Sequence, residues 1–289
     1  MSRQRFTVEL KHFEEPQECL FPADGLRTHL YRPSVDQDGK TSVARAARAT
    51  IGIVILPITG GNYDVSIMFA EDLVRAGFTV LRCERRAEWL FSEGDGNGEA
   101  LEPKDIARLG EQYLLDVARA IEWFAENGGV DPDRIGMLGI SLGAIFSSRV
   151  AAVNPRIKAA VLLIGGAGLP GILASADDRE IKQYRAALAA RHGVSEAELA
   201  PLFEEALTSL DNEAYVSTLD PRTTLMVSGM FDAVVRPRFA RRLWEAAHRP
   251  RHRRLPCGHY STVVFVPLIK AWSRSFFVKT LCAPDRAPQ

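Results

Sequence analysis

Between residues 51 and 255, short continuous apolar runs alternate with segments of helical period, and this alternation limits the chain to few architectures. Residues 51–56 (Ile-Gly-Ile-Val-Ile-Leu) and 78–83 read as strands covered on both faces. A helical pattern over 64–76 lies between them and stops at Gly77. A polar, Gly-rich loop at 92–98 leads to a helix of about 22 residues from Asp105. That helix carries Ile106, Leu109, Tyr113, Val117, Ile121 and Phe124 in one apolar stripe. Further strands are expected at 134–139, 159–164, 223–227 and 253–255, with helices at 142–153 and 237–248; Pro237 suits a first-turn position. Strand-helix-strand repetition of this kind implies an α/β fold, a largely parallel sheet with helices on both faces.

Two regions depart from the alternation. Residues 6–13 and 26–32 alternate in polarity across a Pro- and Gly-bearing loop, the pattern of an antiparallel edge pair, and 34–50 reads as a polar linker. Residues 168–220 contain no convincing strand but at least two helical segments, about 178–192 and 195–210, the second opened by Ser195 and Glu198 in a capping-box pattern. The expectation is one domain over 1–289, with a helical lid insertion at about 168–220. Residues 283–289 are expected to fray.

A chain of 289 residues with 46% hydrophobic and 25% charged residues has the material for a full core. Its 36 basic and 36 acidic residues cancel, so no global field recruits nucleic acid. The cluster Arg238, Arg241, Arg242, Arg249, Arg251, Arg253 and Arg254 has few aromatics near it and reads as a solvated face at a helix end. No apolar run is long enough to span a bilayer, and no secretory pattern follows the first arginines. Cys19, Cys83, Cys257 and Cys282 are scattered without metal-ligand spacing, which points to free thiols and a cytoplasmic location.

The chemistry-bearing run is Gly139-Ile140-Ser141-Leu142-Gly143, between an expected strand and an expected helix. A serine hydroxyl attacks only when a base removes its proton and donors hold the oxyanion it creates. G-x-S-x-G supplies the geometry, because a sharp strand-to-helix turn exposes the serine and small neighbours let the chains pass closely. The plain alternative is an ordinary N-cap serine in a Gly-bearing turn. A carboxylate and a histidine in later loops, in the order Ser, Asp, His, favour the nucleophile.

Asp232 is the candidate carboxylate, just past the strand at 223–227 in a loop opened by Gly229; Asp220 and Glu245 are weaker rivals. His259 is the candidate base, after the last short strand and Gly258. His12 and His29 belong to the edge pair, His192 to the insertion, and His248 and His252 to the arginine cluster. The backbone N–H of Leu142 is one expected oxyanion donor, and Ile58 or Thr59, in the loop after 51–56, the other. Cys257 reads as packing, and Glu84, Arg85 and Arg86 as either substrate contacts or surface charge.

The phrase from Asp131 to Gly143, with Gly77-Phe78-Thr79-Val80-Leu81-Arg82 and Gly258-His259-Tyr260, resembles the α/β-hydrolase superfamily, in its dienelactone-hydrolase and esterase branch. The resemblance covers residues 20 to 281. It implies an eight-stranded, mostly parallel sheet, a Ser-Asp-His triad, no metal or organic cofactor, and ester hydrolysis. This chain has Pro57-Ile58 where relatives often carry His-Gly, and serine where dienelactone hydrolases proper use cysteine. The expected function is therefore a carboxylesterase-like serine hydrolase acting on a small-molecule ester. The alternatives are an amidase, thioesterase or acyltransferase on the same triad, or a catalytically silent binding protein; the oligomeric state is left open.

Overall fold

A computed structural model describes residues 6–13, 26–33, 48, 50–58, 63–84, 89–92 and 98–282. Eight strands form one sheet: β1 (Phe6–Phe13), β2 (Leu26–Pro33), β3 (Gly52–Leu56), β4 (Thr79–Cys83), β5 (Ile135–Ile140), β6 (Ile157–Leu163), β7 (Thr224–Gly229) and β8 (Arg251–Leu255). Their order is β1-β2-β4-β3-β5-β6-β7-β8. The first pair is antiparallel, as its alternation implies, and β2 also runs antiparallel to β4. Every other neighbouring pair is parallel, so the C-terminal ends of β3 to β8 share one edge.

Side-chain alternation sorts the helices onto two faces. On β3, Ile53 and Ile55 face a core built with α1 (Asp64–Arg75), through Phe69 and Leu73, and with α8 (Val266–Leu281), through Ile269, Phe276 and Phe277. Val54 and Leu56 face the opposite core, built with α2 (Pro103–Asn127) and α3 (Leu142–Val153) through Ile121, Phe124, Ile145 and Phe146. All four β3 side chains are fully buried, so truncating any one to alanine costs about 2–5 kcal/mol. Farther along, α7 (Pro237–Ala246) packs Leu243 against Leu162 of β6 and Met226 of β7.

Between β6 and β7 the chain forms α4 (Leu169–Ser175), α5 (Arg179–His192), a 3-10 turn (Glu196–Leu199) and α6 (Ala200–Leu207). The expected helix at 195–210 is thus two pieces. Glu198 takes the backbone N–H of Ser195 as the capping box implies, and the Ser195 hydroxyl in addition, but Pro201, in the first turn of α6, starts a fresh helix. Likewise α2 starts at Pro103, two residues before Asp105, and runs for 25 residues. Helix α8 was not anticipated, although Val266, Ile269, Ser273, Phe276, Phe277 and Leu281 give it a buried stripe. Most of the expected 34–50 linker and 92–98 loop, and all of 283–289, lie outside the described residues.

Candidate active site

Ser141 sits between β5 and α3 with φ 55° and ψ −118°, in the region that a side chain other than glycine rarely enters. The fold holds it there from several sides. Its N–H donates to Leu163 O of β6 at 2.8 Å, and its carbonyl accepts from Ala144 N at 2.8 Å. The flanking glycines permit the crossing: a Cβ on Gly143 would stand 2.4 Å from both Leu56 O and Pro57 O, and one on Gly139 would stand 2.3 Å from Gly143 O. No side chain fits at either place.

Asp232 lies three residues beyond β7 and is 4% exposed. Its Oδ1 accepts from Val234 N and Val235 N, each at 2.9 Å, which aims Oδ2 outward. His259 stands four residues past β8, at the start of a 3-10 helix (Tyr260–Phe265). Two backbone bonds join these loops, Met230 N to Leu255 O at 2.8 Å and Phe231 N to Cys257 O at 3.0 Å. Gly258 N donates to Ser261 Oγ at 2.8 Å and Thr262 Oγ1 donates to Gly258 O at 2.8 Å, fixing the turn that carries the imidazole. As a result His259 Nδ1 is 2.8 Å from Asp232 Oδ2, and His259 Nε2 is 3.0 Å from Ser141 Oγ. Because an ionised carboxylate only accepts, Nδ1 carries the proton and Nε2 is free to accept from the serine hydroxyl.

The three residues selected from the sequence thus converge, and their rivals do not. Asp220 is tied to Arg222 and Glu245 pairs with Arg241. His29 bonds Glu84, His192 bonds Glu102, His248 bonds Ser217 O and His252 bonds Ser228 Oγ. The His12 side chain, Thr59, Arg85 and Arg86 lie outside the described residues. Ile58 lines the cavity at Ser141, and Leu142 opens α3, where the first helical N–H groups have no intrahelical acceptor. Glu84 is held by buried Arg82 at 2.9 Å as well as by His29. Cys257 is buried with Sγ 3.3 Å from Thr262 Oγ1, a packing position.

A cavity of about 220 Å³ opens beside Ser141 and His259. Val65 and Phe69 of α1 and Val266 and Ile269 of α8 form one part of its wall, and Asp178, Glu180 and Ile181 of the insertion form another. Two wall residues, Asp178 and Tyr260, are joined to each other. The Tyr260 hydroxyl donates to Asp178 Oδ2, while Asp178 Oδ1 caps α5 by accepting Ile181 N at 2.9 Å. Partial desolvation, then the hydrogen bond and charge of the Asp178 carboxylate, hold the Tyr260 phenol above its ordinary pKa. Asp177 N donates to Ala233 O at 2.9 Å, a second tie between the insertion and the loops that carry Asp232 and His259. Among the described residues, no three His, Cys, Asp or Glu side chains gather closely enough to hold a metal ion. No helix among them is long and apolar enough to cross a membrane.

Comparison with known proteins agrees with this architecture. The chain matches the family model of the X-Pro dipeptidyl-peptidases (S15 family) over residues 24–176. It also matches that of the BAAT / acyl-CoA thioester hydrolase C-terminal region over residues 117–282. It is 29% identical over 108 residues to a Bacillus subtilis (strain 168) protein named as a hydrolase, YtaP, covering 36% of this chain and 35% of that one. A puromycin-hydrolyzing peptidase of Mycobacterium tuberculosis superposes with a TM-score of 0.65 at 18% identity, over 97% of this chain and 40% of the peptidase. The acylaminoacyl peptidase of Pyrococcus horikoshii gives 0.66 at 14% identity, over 99% of this chain and 43% of that one. The Pyrococcus furiosus esterase Pf2001 gives 0.60 at 17%, over 95% and 92%. The chain therefore spans about a third of the curated relative and two fifths of the two peptidases, and at these identities the solved structures share its fold. With each family model covering over half of its length, the chain belongs to the α/β-hydrolase superfamily, where the S15 peptidase and BAAT thioester hydrolase families meet.

Proposed function

We propose that the chain is a serine hydrolase that cleaves carboxylic esters through an acyl-enzyme on Ser141. The observation that carries this reading is the hydrogen-bonded line from Ser141 Oγ through His259 to Asp232, with the serine held at positive φ. His259 Nε2 takes the hydroxyl proton as Oγ attacks the acyl carbon, and Asp232 stabilises the imidazolium that results. The oxyanion is held by the Leu142 N–H and by a backbone N–H at Ile58 or Thr59. His259 then returns the proton to the leaving alcohol, and water releases the acyl group by the same steps in reverse order.

The helical insertion over 168–220 serves as a lid within one domain of residues 1–289, a role supported by its contribution of Asp178, Glu180 and Ile181 to the cavity wall. The free thiols of Cys83, Cys257 and Cys282 support a reducing compartment, the cytoplasm. Amide or thioester cleavage on the same triad is the second reading, favoured by the match to a peptidase family and a thioester-hydrolase family. Both are tested together. A fluorophosphonate probe should label wild type and not Ser141→Ala. Matched p-nitrophenyl ester, anilide and thioester substrates should show the ester turned over fastest. Labelling of the alanine variant removes the assignment of Ser141, and faster anilide or thioester turnover transfers it to the second reading.

A further inference from the structure

The cavity and the surface around it carry the substrate class one step further, resting on the serine-esterase reading above. A volume of about 220 Å³ is below the roughly 300–1,000 Å³ of pockets that enclose a whole drug-sized ligand. It has room for one long limb of an ester and not for two. The enclosed wall between α1 and α8 is aliphatic and aromatic (Val65, Phe69, Val266, Ile269), so the enclosed limb is apolar.

The other limb must lie outside, and the outside is unusual. Exposed large hydrophobics on a soluble surface are ordinarily scattered singly. Leu115 on α2, Val153 at the end of α3 and Val194 in the turn after α5 fit that description. The remaining six exposed large hydrophobics among the described residues come from two short segments, 230–231 and 260–268. The first segment immediately precedes Asp232 and the second immediately follows His259. Phe231 is 69% exposed, Tyr260 68%, Val263 60% and Val264 74%. The Phe231 N to Cys257 O bond ties the first segment to the turn that leads into the second. Tyr260 and Val263 also line the cavity, so the exposed apolar rim and the enclosed apolar wall meet at these two residues.

We propose that the preferred ester is apolar on both sides of the bond being cut, with one limb enclosed against α1 and α8 and the other lying across the open rim of Phe231, Tyr260, Val263 and Val264. An enclosed limb is limited by wall contact, whereas a limb on an open rim gains with every carbon that leaves water. Each methylene half-covered on the rim is worth about twofold in kcat/KM.

The test uses two ester series below their critical micelle concentrations, one lengthening the acyl chain with a fixed short alcohol and one lengthening the alcohol with a fixed short acyl group. Turnover of p-nitrophenyl acetate and fluorophosphonate labelling come first, and loss of both removes the esterase reading together with this one. Given turnover, one series should rise and then fall at a length cut-off while the other climbs about twofold per carbon. In Phe231→Ser/Val264→Ser the climbing series should flatten while the cut-off of the other keeps its place. If the double variant does not fold, Val264→Ser alone, at the most exposed position, should halve the gain per carbon. Cut-offs in both series, flat profiles in both, or a rim variant that moves both equally would overturn the proposal. So would rim variants that leave both series untouched but change the mass in solution, since the rim would then be a contact between copies.

Discussion

Asp232 gives its two carboxylate oxygens separate tasks, Oδ2 facing His259 Nδ1 at 2.8 Å and Oδ1 taking the N–H groups of Val234 and Val235. The acid is therefore oriented by backbone and does not depend on the imidazole for its position. In Asp232→Asn the amide oxygen can still take both N–H groups while its NH₂ faces the histidine, forcing the proton onto Nε2. That tautomer cannot accept from Ser141. We expect kcat to fall about 10³- to 10⁴-fold, with stability changed by about 1 kcal/mol or less. A variant keeping more than a tenth of kcat would show that His259 is oriented by other means.

Gly143 separates space from chemistry. Its substitution by alanine leaves Ser141, His259 and Asp232 in place but sets a Cβ 2.4 Å from the Leu56 and Pro57 carbonyl oxygens. Both are backbone, so the end of β3 must move, and with it Ile58 at the cavity wall. Overpacking of this kind costs about 1–3 kcal/mol. Gly143→Ala should lower Tm and should slow fluorophosphonate labelling more than Tm accounts for at the assay temperature. Unchanged labelling in a folded variant would mean that the loop after β3 has no part in holding the oxyanion.

The site was legible where backbone geometry dictates residue type. Gly139 and Gly143 are required by chain crossing, and Asp232 and His259 stand in loops at the same sheet edge, so short motifs betray them. The Tyr260–Asp178 bond spans 82 positions; local structure asks for Asp178 only as the cap of α5, and for Tyr260 not at all. Only folding shows that they meet. The exposed rim was hidden for a similar reason: Phe231 and Val264 look like core residues until their neighbours are known. Helix α8 went unread although its stripe repeats at helical steps, because its exposed side is also apolar in part, with Leu268 at 42% exposure weakening the contrast. The first strand pair, by contrast, was plain from alternation alone.

Arg185 ties the insertion together. It is 7% exposed and donates to Leu173 O at 2.9 Å, to Ala176 O at 3.0 Å and to Glu196 Oε2 at 3.0 Å, joining the end of α4 to α5 and the following 3-10 turn. The two carbonyls lie in and just past the last turn of α4, where helix carbonyls lack an intrahelical donor. Arg185→Met keeps the apolar stem and removes the fork, costing about 2–4 kcal/mol. Limited proteolysis should then cut within 176–199 before the sheet unfolds. Global melting without preferential cutting there would show that the insertion is held by its apolar contacts.

We expect His252, which has no bond to Ser141, His259 or Asp232, to make the fold acid-sensitive. On β8 its Nε2 lies 2.8 Å from Ser228 Oγ, and burial, then the nearby Arg254 charge, lower its pKa from 6.5 to about 4. A histidine depressed in the folded state is protonated more readily once unfolded. Its contribution is therefore intact above pH 6.5 and is lost as pH falls toward 4. Because the ring is partly solvated, the loss is about 1–2 kcal/mol, less than the full shift would give, and corresponds to about 2–8 °C in Tm. His252→Gln cannot titrate but can still bond Ser228. Between pH 7.5 and 4.5 its Tm should drop by less than that of wild type, the difference being about that size. Equal drops in the two proteins would assign the acid sensitivity to other groups, of which His29, also depressed chiefly by burial, is the next to replace.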